Sequence, residues 1–412
     1  MTSGALSWGS GELRATQKVE AAPLAATVVV LGLGAVPCSS PAEASALQWQ
    51  QELMSGIARG TLEGVSCPSP LSWVAVGTQQ LSTGRYVYQA LVESWDGRTW
   101  EHDAAPTLMS TTSSLASVSC TSATSCVAVG VTGNLPVPTN SLHPFAEVLT
   151  GTKLEIVGTA KLPAGTYAAL SSVSCSRAGS CVAVGNYLAA PHDAPATEPA
   201  FVEAYNGSTW ALEKRPVISG HLSFLTSVSC SPGAGPTSCT AVGSQTVGNK
   251  FYGPLAYRSE WGHWQVLNIP GIPLSGPGLA SVSCPLPTTC MAIGSEGGAF
   301  SELDDANKWS TVPMAKLPTR YAALSGISCP GTVDLCEAVG YFYGGPTPTA
   351  TLTEGWDGHR WAVQSSPNAS APDLFAVSCS SAVPGLGAGC TAVGALGSQY
   401  PLALRDPTAG AA

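Results

Sequence analysis

The sequence predicts an all-β fold, a seven-bladed β-propeller whose blades are four-stranded antiparallel sheets. A Ser-Cys pair preceded by Val or Ile occurs seven times, 45 to 55 residues apart, and an Ala-Val-Gly or Ala-Ile-Gly run follows each copy. A period near 50 residues built from short apolar runs is typical of propellers, with one blade per repeat. Only 10% of the residues are charged, while Gly and Pro number 45 and 32. This composition favours many short strands joined by turns over helices.

The third repeat shows how one unit supplies four strands. Leu170–Cys175 and Cys181–Gly185 are short apolar runs, and Ala200–Tyr205 is a third after a Pro-rich stretch. Asn206–Thr209 then contains an Asn-Gly pair, which tolerates the positive φ angles of a hairpin turn. Trp210 begins the fourth strand. Four antiparallel strands in succession are what a propeller blade requires.

The two ends of the repeat array predict how the ring closes. The last repeat ends after Pro401–Leu404 and lacks its Trp-bearing fourth strand. Trp49 lies 18 residues before the first Ser-Cys cysteine, the interval that also separates Trp361 from the last one. We therefore expect a strand around Leu47–Glu52 to complete the seventh blade, which removes exposed sheet edges.

The N-terminus has the features of an export signal. Arg14 and Lys18 precede an apolar run, and Ala44–Ala46 offers a small-x-small cleavage site. We expect a signal peptide at 1–46, a propeller at 47–412, and a secreted, extracellular protein without stable membrane insertion after cleavage. An uncleaved N-terminal anchor is the alternative.

Cysteine usage agrees with export. Six of the seven repeats carry a second cysteine before the Ala-Val-Gly run, and pairs at such short spacing without a neighbouring His favour disulfides over zinc. The predicted disulfides are Cys120–Cys126, Cys175–Cys181, Cys230–Cys239, Cys284–Cys290, Cys329–Cys336 and Cys379–Cys390. In the first repeat Trp73 occupies the place of the second cysteine, so Cys67 is expected to be a buried free thiol. No metal or cofactor is predicted.

The repeats resemble those of exported β-propeller proteins of high-GC Gram-positive bacteria. The resemblance rests on the unit Ser-Cys…Cys-x-Ala-Val-Gly…Trp-x-Gly-x-x-Trp, which covers nearly all of the chain after the signal. Ser94–Trp100 is also similar to the Asp-box of sialidase-type propellers, although Asp96 and Gly97 adjoin here and the Asp-box separates its Asp and Gly by one residue. The first resemblance implies architecture and carries little chemistry.

Residues that recur in most repeats are expected to be structural. Five glutamates near the end of the third strand are interpreted as a repeated hydrogen bond within each blade: Glu93, Glu147, Glu203, Glu302 and Glu354. Asp304 and Asp305 are expected to be a solvated pair at an outer turn. The sequence lacks a metal-ligand spacing, a nucleophile elbow and a dinucleotide fingerprint, so no catalytic residue is predicted.

Function is expected where the repeats diverge, in the connections that follow the second and fourth strands, which emerge at one end of the blades. Aromatic and basic residues there predict recognition of a glycan or a protein. The protein is expected to be a monomer. The candidate ligand-binding residues are Arg85, Tyr86, Tyr187, Tyr252, Arg320, Tyr321 and Tyr343.

Charge and motif content leave two other functions open. A net charge of −9 without a cluster of basic residues argues against nucleic-acid and anionic-membrane partners. A glycoside hydrolase or polysaccharide lyase, sialidase-like, would need one-off acids and arginines to converge on a cavity. The contributors would be Arg59, Arg85, Arg320, Asp193, Glu198 and Glu296. A rigid extracellular scaffold is the third reading.

Overall fold

The structure is a computed structural model that describes residues 49–406, apart from 53, 55–56, 58, 82–86, 104–110, 135–141, 152, 164–165, 190–198, 234–237, 248–249, 261, 270–277, 296–298, 318–320, 344–348, 368–371, 382–388 and 398. The expected signal peptide at 1–46 lies outside the described residues.

The described chain forms 28 strands in seven sheets of four, which confirms the seven-bladed propeller. The strands are β1 Gln50–Glu52, β2 Gly60–Ser69, β3 Ser72–Gln80, β4 Tyr88–Trp95, β5 Trp100–Asp103, β6 Thr111–Ser122, β7 Ser125–Asn134, β8 His143–Thr150, β9 Lys153–Val157, β10 Tyr167–Arg177, β11 Ser180–Ala189, β12 Ala200–Tyr205, β13 Trp210–Leu212, β14 Leu222–Cys230, β15 Cys239–Val247, β16 Lys250–Glu260, β17 His263–Leu267, β18 Leu279–Leu286, β19 Thr289–Ser295, β20 Ala299–Asp305, β21 Lys308–Val312, β22 Tyr321–Ser328, β23 Cys336–Tyr343, β24 Thr349–Trp356, β25 Trp361–Val363, β26 Pro372–Cys379, β27 Cys390–Leu396 and β28 Tyr400–Asp406. Blades 1 to 6 are the successive groups of four from β2 to β25, and blade 7 is β26, β27, β28 and β1.

The N-terminal strand closes the ring, as the chain ends predicted. β1 pairs antiparallel with β28, with Gln51 opposite Leu404. Trp49 is buried, and its Nε1–H donates to Oε1 of Gln364, the residue after β25, at 2.7 Å. Trp264 makes the same contact between blades 4 and 3, since its Nε1–H donates to Glu213, the residue after β13. Trp49 is therefore a true fourth-strand tryptophan, supplied by the other end of the chain.

Each blade contains a β-bulge that explains the glycine of the Ala-Val-Gly run. The register between first and second strands shifts directly after a buried leucine in all seven blades. A Cβ on the facing glycine would lie 1.9 to 2.4 Å from a main-chain oxygen beside the bulge, so only glycine fits there. These glycines are Gly77, Gly130, Gly185, Gly243, Gly294, Gly340 and Gly394.

The serine of each Ser-Cys pair joins neighbouring blades. Its Oγ accepts the backbone N–H of the Ser-Cys cysteine in the next blade, at 2.9 to 3.0 Å. The accepting serines are Ser66, Ser119, Ser174, Ser229, Ser283, Ser328 and Ser378. Because Ser378 of blade 7 accepts from Cys67 of blade 1, the seven bonds form a complete circle.

The six predicted disulfides are present, each joining the first two strands of its blade with Cα atoms 3.9 to 4.1 Å apart. Cys67 is a buried free thiol, as expected. Its Sγ lies 3.2 Å from the carbonyl oxygen of Ser378, and burial raises the pKa of the thiol to about 12. Because the thiolate is the reactive form, Cys67 is chemically inert near neutral pH.

Blade 1 replaces the disulfide with aromatic packing. Trp73 stacks on Trp95 with ring centroids 5.3 Å apart, and Trp100 packs against both rings. The Arg405 guanidinium of blade 7 lies 5.8 Å from the Trp73 centroid and 5.3 Å from that of Trp95. The Arg405 Nε also bonds Glu52 of the closing strand at 2.7 Å. The tryptophan cluster therefore joins blade 1 to the closure of the ring.

The expectation for Asp304 was wrong. Its side chain is fully buried and forms an ion pair with Arg258 of blade 4, which also donates to Asn307 and Thr240. Asp305 alone is exposed. The two carboxyl groups separate because successive side chains of a strand point to opposite faces of the sheet.

Candidate functional site

The strand order gives the propeller two different ends. The hairpins between first and second strands carry the disulfides, and we call that end the disulfide face. The connections from second to third strand, and from one blade to the next, emerge at the other end, the variable-loop face. The second-to-third connections there range from two residues at 248–249 to ten at 190–199. This is the end at which the sequence placed ligand binding.

Four of the seven candidate residues lie on described strands, at ends that lead into the variable-loop face. Tyr321 begins β22 and Tyr343 ends β23, and the two are direct cross-strand partners. Tyr252 lies at a register shift near the start of β16. Tyr187 lies on β11 opposite Ala168. Arg85, Tyr86 and Arg320 lie outside the described residues, as do three further hydrolase candidates, Asp193, Glu198 and Glu296.

Tyr187 is half-buried and takes part in the packing of blade 3. Its ring centroid lies 5.0 Å from that of Phe201, and the ring packs against the core of the blade. Burial raises the pKa of the Tyr187 hydroxyl, and the nearby Glu203 carboxyl adds to the rise. The hydroxyl therefore stays protonated near neutral pH and offers a hydrogen-bond donor at the variable-loop face.

Arg215 is a residue that the sequence reasoning missed. It lies between β13 and β14, and its Nε and Nη2 donate to the carbonyl oxygen of Ala200 at 3.1 and 2.6 Å. Nη1 donates to the hydroxyl of Tyr257 at 3.3 Å, and the guanidinium lies 5.7 Å from that ring's centroid. Tyr257 stands opposite Ala241, where five other blades have glutamate. Tyrosine in place of glutamate at this position is the feature of the sequence that could have indicated a contact between blades 3 and 4.

The five third-strand glutamates are all fully buried. Four of them form hydrogen bonds, of two kinds, which differs from the expected single bond within each blade. Both carboxyl oxygens of Glu147 are buried without a hydrogen-bond partner in the described part of the chain. Glu93 bonds His102 and Glu302 bonds Thr311, both on the fourth strand of the same blade. Glu203 and Glu354 instead accept backbone N–H groups from the segment that enters the blade, those of Ala160 and Ala315.

The acidity of the five glutamates follows first from their burial and then from their hydrogen bonds. Burial raises the pKa of all five carboxyl groups. For Glu147, Glu203 and Glu354 the cross-strand neighbour is aliphatic, and the pKa rises to about 7. In the other two blades the hydrogen bond from His102 or Thr311 opposes the rise. Each of these carboxyl groups lies on the third strand of a different blade, so they do not converge on one site.

No cluster of three or more His, Cys, Asp or Glu side chains suited to a metal ion occurs among the described residues. Within the same residues, we find no helix with the length and apolar character needed to cross a membrane.

Comparisons with known proteins support the fold. No protein-family profile matches the chain, and no curated protein sequence matches it. Among solved structures, YCF48 bound to D1 peptide is similar with a TM-score of 0.51 and 14% identity, over 89% of this chain and 96% of that one. YCF48 from Cyanidioschyzon merolae is similar with a TM-score of 0.51 and 13% identity, over 88% of this chain and 98% of that one. At this level of identity the likeness shows the propeller fold.

Proposed function

We propose that this protein is an exported propeller that binds a protein ligand, as an extended peptide segment, through the variable-loop face. The observation that carries the proposal is a difference between repeated and divergent parts of the propeller. The Ser-Cys bonds, the bulges and the disulfides recur from blade to blade, whereas the variable-loop connections differ in length and sequence. Divergent loops on a rigid repeated frame are where propellers and other scaffolds bind ligands.

Two further observations favour a peptide ligand. Tyr321 and Tyr343 are paired at the variable-loop end of blade 6, and tyrosine is enriched at protein-binding hot spots. A similar solved propeller, YCF48, is described with a bound D1 peptide. The same tyrosines would also suit a glycan ligand, but the YCF48 complex gives a glycan no support.

Export is supported by the N-terminal sequence and by the disulfides. Six disulfides require an oxidising compartment to form and persist. Cleavage after Ala46 would give a mature N-terminus at Leu47, three residues before β1 begins. N-terminal sequencing of the protein recovered from the culture medium tests this, and a retained N-terminal segment would contradict it.

The binding proposal is tested by selecting ligands from a displayed random-peptide library and probing a glycan array in parallel. We expect enriched peptides whose affinity falls by roughly 30-fold in Tyr343→Ala or Tyr252→Ala, the loss typical of a hot-spot residue. Leu335→Ala is the matched control, because Leu335 is 61% exposed at the disulfide face. Binding to a glycan on the array with no peptide enriched from the library would overturn the proposal, and so would cleavage of a glycan.

A further inference from the structure

Glu337 is a buried acid that one blade has and the others lack. It precedes the Ala-Val-Gly run of blade 6, on β23, and only 9% of it is exposed. The same position in the other blades holds an aliphatic residue, a methionine or a threonine: Val74, Val127, Val182, Thr240, Met291 and Thr391. A buried carboxyl group is costly, so a single occurrence within a repeated frame calls for a specific explanation.

A chain of hydrogen bonds connects Glu337 to the closing strand. The Nε2–H of Gln364 donates to Oε1 of Glu337 at 3.0 Å. Oε1 of the same amide accepts the indole N–H of Trp49 at 2.7 Å. Trp49 lies directly before β1 and packs in the core of blade 7. One amide therefore connects the Glu337 carboxyl group to the tryptophan that precedes the closing strand.

Gly355 makes this connection possible. A Cβ at Gly355 would lie 2.3 Å from Nε2 of Gln364 and 3.2 Å from Oε1 of Glu337. Glycine within a strand weakens the strand and usually marks a close approach by another group. The cross-strand partners at this position in the other blades all carry side chains: Ser94, Val148, Ala204, Arg258, Leu303 and Arg405. Blade 6 therefore lacks a side chain at Gly355, the position beside which the Gln364 amide bonds the Glu337 carboxyl group.

A second buried carboxyl group acts on Glu337. Asp406 stands opposite the second cysteine of blade 7, is fully buried, and raises the pKa of Glu337. In the described part of the chain, no lysine or arginine bonds Glu337, and its Oε2 is buried without a hydrogen-bond partner.

We propose that the protonation of Glu337 controls closure of the ring, so that β1 is held firmly at acidic pH and loosens as the pH rises. With its proton, the carboxyl group is neutral and its burial costs little. Without it, the carboxylate still accepts the Gln364 N–H, but a negative charge is buried with Oε2 lacking a hydrogen-bond partner in the described part of the chain. Release of Trp49 and β1 lets water reach that charge.

The pH range follows from the two states of the carboxyl group. Burial and the charge of Asp406 raise the pKa of Glu337 to about 8 in the closed ring, although the Gln364 bond opposes the rise. In the open ring, water returns the pKa toward its ordinary value of 4.5. Between these pH values the closed state binds one proton more than the open state. The equilibrium constant for closure therefore falls by up to about tenfold per pH unit from roughly pH 4.5 to pH 8. Above pH 8 the dependence ends.

Hydrogen exchange of the secreted, disulfide-intact protein at pH 5 and pH 8, corrected for intrinsic exchange rates, tests the proposal. We expect protection of the Gln50–Glu52 amides to fall at least tenfold more than that of Trp264–Leu267, in the fourth strand of blade 4, whose third strand has Tyr257 in place of the glutamate. In Glu337→Gln, which mimics the protonated acid, the excess loss at β1 disappears. Glu203→Gln is the matched control, since Glu203 is also a buried acid but belongs to blade 3, and it keeps the excess loss.

Two results would overturn the proposal. One is an equal loss of protection at β1 and at Trp264–Leu267 in the unmodified protein. The other is an unchanged β1-specific loss in Glu337→Gln. Trp49→Phe gives a second test that does not alter the acid, because it removes the indole N–H donor and keeps an aromatic, though smaller, ring in the core. We expect its β1 protection to depend less on pH, and a full pH dependence would contradict the hydrogen-bond link.

Discussion

Blade 3 and blade 1 hold their first two strands together by different means. In blade 3 the Cys175–Cys181 disulfide closes a short local loop. In blade 1 the same place is occupied by Trp73, which is 1% exposed and packs on Trp95, Trp100 and Arg405 of blade 7. The disulfide stabilises a blade whether or not the ring is closed, whereas the tryptophan cluster is complete only when blade 7 is in place. The blade at the point of closure is therefore the one whose own stability depends on closure.

The largest expected effect is that of Trp73→Ala. Removing a fully buried tryptophan leaves a cavity and takes away the platform on which the Arg405 guanidinium lies, so the free energy of unfolding should fall by about 3–5 kcal/mol. Urea denaturation measures this loss. Leu71→Ala in the same blade, where the side chain is 48% exposed, is the control. Equal losses in the two variants would contradict the role given to the cluster.

The double variant Cys175→Ala, Cys181→Ala removes the corresponding link of blade 3. A disulfide with a sequence separation of 6 closes a small loop, whose loss costs about 2–3 kcal/mol. The comparison predicts a smaller loss than in Trp73→Ala, and hydrogen exchange should locate it in blade 3. Loss of protection at β1 in this variant would show that local and ring-wide stability are not separate.

Trp73→Cys converts blade 1 into a blade of the common type. The new cysteine would have the same separation from Cys67 that Cys181 has from Cys175, so we expect a seventh disulfide, seen as the loss of the free thiol on mass spectrometry. The disulfide should recover part of the stability lost in Trp73→Ala, leaving a net loss of about 1–2 kcal/mol. A persistent free thiol at Cys67 would mean that the backbone of blade 1 has diverged.

The smallest expected effect is that of the serine circle. Ser174→Ala leaves the buried N–H of Cys230 without its acceptor and should cost about 1–2 kcal/mol. Ser378→Ala breaks the equivalent bond between blades 7 and 1, and it should also lower the protection of β1. Ser208→Ala, in an exposed turn, is the control. If Ser378→Ala left β1 unaffected, the circle would be a set of independent contacts.

The sequence predicted what repetition makes visible. The Ser-Cys spacing predicted the number of blades, the cysteine pairs predicted the disulfides, and the equal spacing of Trp49 and Trp361 predicted the closing strand. Contacts between blades could not be predicted, because nothing local shows that the Ser174 hydroxyl meets a backbone N–H of the next repeat. The Arg405 contact with Trp73 and the Arg258 pairing with Asp304 were missed for the same reason.

For the candidate binding site, the sequence offers only a position, which stays a prediction. Divergence between repeats favours the variable-loop face, and the strand pairing sets Tyr321 opposite Tyr343. The identity of a ligand depends on how side chains from separate connections combine, and no repeat pattern encodes that combination. Arg215 illustrates the point, since its partner Tyr257 lies in the neighbouring blade.

The most direct test of the account is oxidative footprinting of the protein with and without a selected peptide ligand. If the variable-loop face binds the peptide, protection should appear at the connections 81–87, 190–199 and 344–348. Exposed side chains of the disulfide face, such as Leu71 and Leu335, should remain unchanged. Protection of Leu71 and Leu335, with the variable-loop connections unaltered, would contradict the division between a structural end and a binding end.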